Sequence, residues 1–230
     1  MNPLAQLSAG PLAPGLALVF DMDGVVIDSN PIHCETWTTF NRRYGVETTE
    51  EMLCYMYGRR NDQIVRHFFG DSLSDEEVSA RGFAKEALYR ETVGERLEQV
   101  LVPGIREFLE RYQDVPMAVA SNAEPANVDF LLDRAGLRRY FRVIVNGHEV
   151  SRPKPHPEIY LLAAKLLGFQ PYNCIVFEDS PSGVEAARLA GTRIVGLSTT
   201  EDNLPGTMIN VNNFKSGLLT AWLAAQRQLA

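Results

Sequence analysis

Leu16–Asn30, LALVFDMDGVVIDSN, is the stretch whose reading decides the fold. Five apolar residues, Leu16 to Phe20, run without a break into Asp21, Met22, Asp23 and Gly24. An unbroken apolar run that stops at polar residues and Gly predicts a buried parallel strand ending in a loop. Two carboxylates two residues apart at a strand end lean the same way. Like charges that close repel unless a cation lies between them. Ligands that are all oxygen favour a hard cation such as Mg²⁺. Asp21 and Asp23 therefore read as a pair in which one carboxylate holds a metal and attacks while the other handles protons. A lone D-x-D-G is also a common surface turn. A calcium loop is excluded, because Val25, Val26 and Ile32 stand where it needs an oxygen ligand, Gly and Glu.

The rest of the chain separates the two remaining readings. Apolar runs at Val115–Ala120, Val143–Val145, Cys174–Phe177, Arg193–Leu197 and Met208–Val211 alternate with helical segments. Strand alternating with helix predicts βαβ units and a parallel sheet, an α/β Rossmann-like doubly wound core. Helices are expected at Pro103–Gln113, Pro125–Ala135, Glu158–Leu167, Pro181–Ala190 and Phe214–Ala225. Gly136, Gly168 and Gly191 close three of them. Ligands of such sheets bind at the carboxyl ends of the strands. The residues that follow strands here are Asp21 and Asp23, Ser121, Lys154 in a Pro-rich loop, and Glu178 with Asp179. Ser121 alone reads equally as a helix cap, Lys154 as a solvated charge, and Glu178-Asp179 as a cap for the helix at Pro181. The four together are a site.

Between residues 31 and 100 no strand is expected. A helix after Ser29-Asn30-Pro31 puts Ile32, Trp37, Phe40 and Tyr44 on one face, and Gly45 ends it. One or two helices follow, broken at Gly58, and a long one starts at Ser74 with Ser-x-x-Glu as a capping box. The chain thus divides into a core, residues 16–30 and 101–230, and an inserted helical cap domain, residues 31–100.

With 230 residues and a net charge of −7, the chain can bury a large core but offers no broad surface for nucleic acid or anionic membrane. A phosphate site would have to be locally positive. Cys34, Cys54 and Cys174 show no C-x-x-C pairing and read as small buried hydrophobes in a reducing compartment. No apolar run reaches the length of a membrane span. Met1–Gly15, with three prolines, lacks the pattern of a signal peptide and is expected to be a frayed tail. A cytoplasmic monomer follows as the expectation. Phosphate loops, dinucleotide fingerprints, nucleophile elbows and zinc helices are absent.

These motifs resemble the haloacid dehalogenase-like superfamily, in the branch with a helical cap after the first strand. The likeness rests on DMDGVVIDS, on Ser121, on Lys154 in RPKPHPEIY and on EDSPSGVEAA from Glu178 to Ala187. It spans nearly all of the chain after residue 15. The resemblance implies that Asp21 is the nucleophile, forming an aspartyl-phosphate, and that Asp23 is the acid and then the base. It implies a Mg²⁺ site from Asp21, Asp179 and the backbone carbonyl of Asp23, with Glu178 holding Lys154 or a metal-bound water. Ser121 and Lys154 would hold the transferring phosphoryl group. His33 and Trp37 match the H-x-x-x-W of sugar-phosphate members, and Lys85, Arg60 and Asn122 are further candidates for substrate binding. The expected activity is hydrolysis of a small phosphorylated metabolite such as a sugar phosphate. A β-phosphoglucomutase-like phosphomutase and a non-catalytic binding protein are the alternatives. Ser121-Asn122-Ala123-Glu124 departs from the Ser-Ala-Ser-Lys of mutases and favours the phosphatase.

Overall fold

The computed structural model describes residues 15–57 and 59–228. The tail expected at the N-terminus lies, up to residue 14, outside them. So does Gly58, the expected helix breaker.

Six strands form one parallel sheet: β1 (Ala17–Phe20), β2 (Met117–Ala120), β3 (Val143–Val145), β4 (Cys174–Glu178), β5 (Arg193–Leu197) and β6 (Ile209–Val211). Their order across the sheet is β3-β2-β1-β4-β5-β6. β1 is central because its four residues are buried on both faces. Leu18 and Phe20 enter one core and Ala17 and Val19 the other. β2 and β4 alternate in the same way: Met117, Val119, Ile175 and Phe177 lie on the first side, and Ala118, Ala120, Cys174 and Val176 on the second. The first core is aromatic. Phe20 stacks on Phe177 at 4.7 Å between ring centres, and Phe108, Phe141 and Phe214 surround the pair. Small residues on the other side let α7 (Glu158–Leu167) and α8 (Pro181–Ala190) approach the sheet.

The chain leaves β1 towards β2 on one side and returns to β4 on the other. A crevice therefore opens past the ends of β1 and β4, where strand order reverses. Register fixes what lines it. Phe20 pairs with both Val119 and Phe177, so Asp21, Ala120 and Glu178 come level.

Four helices lie between β1 and α5 (Ile105–Arg111): α1 (Asn30–Arg42), α2 (Glu50–Met56), α3 (Asn61–Phe69) and α4 (Asp75–Gly94). They share a small core of Trp37, Phe40, Met56, Ile64, Val65, Phe68 and Val78. The capping box at Ser74 forms as the sequence predicts. The two segments joining these helices to the sheet run side by side. Asp28 N donates to Val100 O, and Val102 N to Val26 O. The remaining helices are α6 (Pro125–Arg134) and α9 (Gly217–Gln228). Among the described residues, no helix is long and apolar enough to cross a membrane.

Two expectations are corrected. Tyr44 lies two residues past the end of α1 and is partly exposed, since Gly45 and a hydrogen-bonded turn stop the helix early, but its ring still packs on Phe40 and Phe69. The polar Thr36 and Asn41 of α1 are buried as well. α1 starts where the sequence predicts, with Ser29 at its N-terminus, and the Ser29 hydroxyl donates to Asp23. Cys54 is exposed and Cys34 half-buried, so only Cys174 is a core hydrophobe.

Candidate active site

Asp21 is the first residue past β1, held by its N–H donating to Phe177 O. The chain then turns sharply. Met22 O accepts from Val25, Val26 and Ile27, which swings Asp23 back over the strand end. Gly24 makes this turn with a φ of +77°, a conformation that costs any L side chain. At the end of β4, its last residue Glu178 and the following Asp179 lie beside Asp21. A side chain on Gly24 would collide with Asp179, its Cβ 1.9 Å from Oδ2. Gly183, in the first turn of α8, is needed in the same way, since a Cβ there would lie 1.8 Å from Glu178 Oε1.

Oxygens of Asp21, Glu178 and Asp179 all lie within 4.8 Å of one another, and all three residues are buried. The Lys154 ammonium meets two of them, at 2.6 Å from Asp21 Oδ1 and 2.7 Å from Glu178 Oε1, above the ring of Tyr160. Glu178 is further fixed by the Tyr160 hydroxyl, by Asp179 N and by Ser180 N and Oγ. Asp179 accepts from Thr200 Oγ1 and from Asn30 Nδ2. Burial and the neighbouring charges of Glu178 and Asp23 push the Asp21 carboxyl up to about 7, against the pull of Lys154. Burial and the neighbouring charges of Glu178 and Asp21 raise Asp179 well above the carboxylate range. Lys154 is buried, yet its two carboxylate partners keep its pKa raised. Three carboxyls crowd around one ammonium, and a further cation among their hard oxygen donors would relieve the repulsion that raises Asp21 and Asp179. That donor set fits a divalent cation such as Mg²⁺.

Asp23 stands apart from this cluster. Its carboxylate accepts from the Ser29 hydroxyl and lies 3.5 Å from His33 Nε2. Burial would raise it, but those two partners hold it below the usual range. It rests ionised.

A cavity of about 540 Å³ opens above the strand ends. Asp21, Asp23, Ser121, Lys154 and Asp179 line it from the sheet side, and His33, Arg60 and Lys85 from α1, α3 and α4. Asn122 lines it too, its Oδ1 accepting from Lys154 N. Every site residue read from the sequence thus lies on this cavity except Glu178, which sits just behind Lys154. Lys85 is not a solvated helix charge, since it is 1% exposed and bonded to Glu86 and His33. Arg60 is tethered through Nη2 to Val150 O. The sequence reading missed Tyr160, Asn30, Thr200, Glu86 and Asn127. Their signals were a Tyr six residues past a candidate Lys, an Asn at an expected helix start, a Thr in the loop past β5, and polar residues on otherwise ordinary helices.

A family model described as haloacid dehalogenase-like hydrolase matches residues 16–191. The chain belongs to the haloacid dehalogenase-like hydrolases. It sits among the phosphatases of that family. It is 33% identical to a fructose-1-phosphate phosphatase of Escherichia coli over 78% of this chain and 95% of that one. It is 35% identical to a phosphorylated carbohydrates phosphatase of Thermotoga maritima over 79% and 84% of the two chains. A β-phosphoglucomutase of Clostridium difficile superposes with a TM-score of 0.83 over 93% of this chain and 97% of that one. At 24% identity, that likeness speaks for the fold alone.

Proposed function

We propose that this protein is a cytoplasmic, monomeric, Mg²⁺-dependent phosphatase of small phosphorylated sugars, working through an aspartyl-phosphate on Asp21. The observation that carries the reading is the position of Asp21: a buried carboxylate at the end of β1, 2.6 Å from Lys154, beside Glu178 and Asp179, and open to a cavity that Asp23 also faces. Asp21, Asp179 and the backbone carbonyl of Asp23 would hold the metal, which neutralises charge on the phosphoryl oxygens when bound. Residues 31–100 act as a cap that excludes water from the strand ends.

In the first step an Asp21 oxygen forms a bond to phosphorus as the ester oxygen leaves. Asp23 protonates that departing alkoxide. Being ionised at rest, it must first take up a proton as substrate binds. In the second step water attacks phosphorus, Asp23 takes its proton, and Asp21 is released with inorganic phosphate. Lys154 and Ser121 hold the phosphoryl oxygens. Most of the acceleration is positioning and charge neutralisation.

The names of the two relatives support a sugar phosphate as substrate. The test is phosphate release from a panel of sugar and nucleotide monophosphates, fructose 1-phosphate included, with Mg²⁺, with Ca²⁺ and with excess EDTA. Release is expected with Mg²⁺ only. Silence across the panel would remove the phosphatase reading, and full activity in EDTA the metal. Arg59 and Arg60 on the cavity wall keep a phosphomutase as second reading, because a mutase needs cations to hold a second phosphate.

A further inference from the structure

Glu86 is a buried carboxylate that the chemistry above leaves without a role. It lies on α4 with 4% of its surface exposed. Its Oε1 accepts from Lys85 Nζ at 2.8 Å and from Asn61 Nδ2 of α3 at 2.7 Å. Its Oε2 accepts from Asn127 Nδ2 at 2.5 Å. Asn127 is on α6, the helix that follows the Ser121 loop. Its amide is oriented by Arg90, whose Nη1 donates to Asn127 Oδ1 at 2.7 Å, so the NH₂ faces Glu86. Glu86 is thus the point where the inserted helices and the sheet's own helices share one hydrogen-bonded junction.

A buried ion pair adds little stability over apolar residues of the same size. What this one fixes is geometry. Lys85 Nζ donates to Glu86 and also to His33 Nδ1, 2.8 Å away. An ammonium has no lone pair, so Nδ1 must accept. The ring proton of neutral His33 is therefore on Nε2, the nitrogen that faces Asp23. Tyr89 stacks flat on the imidazole, 3.9 Å between ring centres, and stops it turning.

We propose that Glu86, anchored by Asn127, is a positioning residue that fixes Lys85 and through it the tautomer and orientation of His33, and so aims Asp23 at the leaving-group oxygen. The inference rests on the proposed role of Asp23. It also assigns two of the three Lys85 donors to this junction rather than to substrate.

Leaving-group chemistry tests it. An alkoxide leaving a sugar phosphate needs a proton in the first step, whereas the anions leaving p-nitrophenyl phosphate and acetyl phosphate do not. The measured quantity is the ratio of kcat/KM for the best sugar phosphate of the panel to kcat/KM for these two activated substrates, an aryl ester and an acyl phosphate. Glu86→Gln is expected to lower that ratio about tenfold or more, within the range of general acid catalysis. In a Lys85→Met background, Glu86→Gln should add no further fall, as for residues acting through one chain. Asn127→Ala should lower the ratio in the same direction, and it decides the matter if Glu86→Gln does not fold. Equal losses for both kinds of substrate, or independent effects in the double variant, would overturn the positioning role alone. A wild-type protein that releases phosphate from neither kind of substrate overturns the phosphatase reading and this inference with it.

Discussion

Gly24 stands where any side chain would overlap Asp179, although 154 residues separate them in the chain. The close approach brings the end of β4 against the turn after β1. It lets Asp179 share a site with Asp21.

Gly24→Ala should therefore cost both stability and turnover. Its φ of +77° alone costs about 1–2 kcal/mol for a residue with a Cβ. Gly191 has the same φ but nothing within 4 Å of its Cβ position. Gly191→Ala should show a similar loss of stability and keep its phosphate release. Unfolding curves and initial rates of the two variants, side by side, separate strain from site geometry. Equal activities would mean that Asp179 can move without consequence.

Asp21 and Asp23 should respond oppositely in stability. Metal-free Asp21 has its carboxyl raised to about 7 by burial and neighbouring carboxylates. A raised acid loses stability as pH climbs from its unfolded value, 3.8, to the folded one. Asp21→Asn removes that cost, so in EDTA at pH 8 its Tm should rise while turnover and any trapped phosphoenzyme vanish. Asp23 is lowered by His33 and Ser29, so its ionised form is favoured by folding. Asp23→Asn should lower the Tm and cut turnover by roughly 10²–10⁴-fold. A stabilised Asp23→Asn, or an active Asp21→Asn, would reverse the assignment.

The frame of the site was legible because its signals are local. An apolar run buried on both faces can only be a central strand, and polar residues at its end can only face the crevice. What escaped depends on contacts between distant segments. Glu86 next to Lys85 reads as a solvated helical pair, and nothing at Asn127 says that it will meet them. Ser29 marks a helix start, and nothing beside it says that its hydroxyl will meet Asp23. Cys54 failed for the opposite reason: it lies on the outer side of α2, whose Met52, Leu53 and Met56 face the cap core.

Glu86 also predicts acid sensitivity. Burial would raise its carboxyl, but the Lys85 ammonium and the hydrogen bonds from Lys85 and Asn127 outweigh that and bring it to about 2. A depressed acid contributes stability that is complete above its unfolded value of 4.5 and lost as pH falls towards the folded one. The stability gap between wild type and Glu86→Gln should shrink by on the order of 3 kcal/mol between pH 6 and pH 2. Chemical denaturation at a series of pH values measures it. A gap that stays constant would show that Glu86 is not held ionised.

The last prediction concerns what attacks the aspartyl-phosphate. A mutase must offer it a second sugar-phosphate hydroxyl and hold the distal phosphate with cations. Glu124 lines the cavity where mutases carry a lysine, and its Oε2 lies 2.8 Å from His148 Nε2. Two unit charges 4 Å apart near a protein surface interact by about 4 kcal/mol. A carboxylate in the wall therefore opposes a second phosphate at short range, where a lysine would attract it. Water should win. Incubation with β-glucose 1-phosphate and a trace of glucose 1,6-bisphosphate should give inorganic phosphate and little glucose 6-phosphate. Glu124→Lys should tighten inhibition by the bisphosphate at least about tenfold, a gain of about 1.4 kcal/mol. Rapid formation of glucose 6-phosphate by the wild type without phosphate release would instead make the protein a mutase, with Arg59 and Arg60 as the cations that outweigh Glu124.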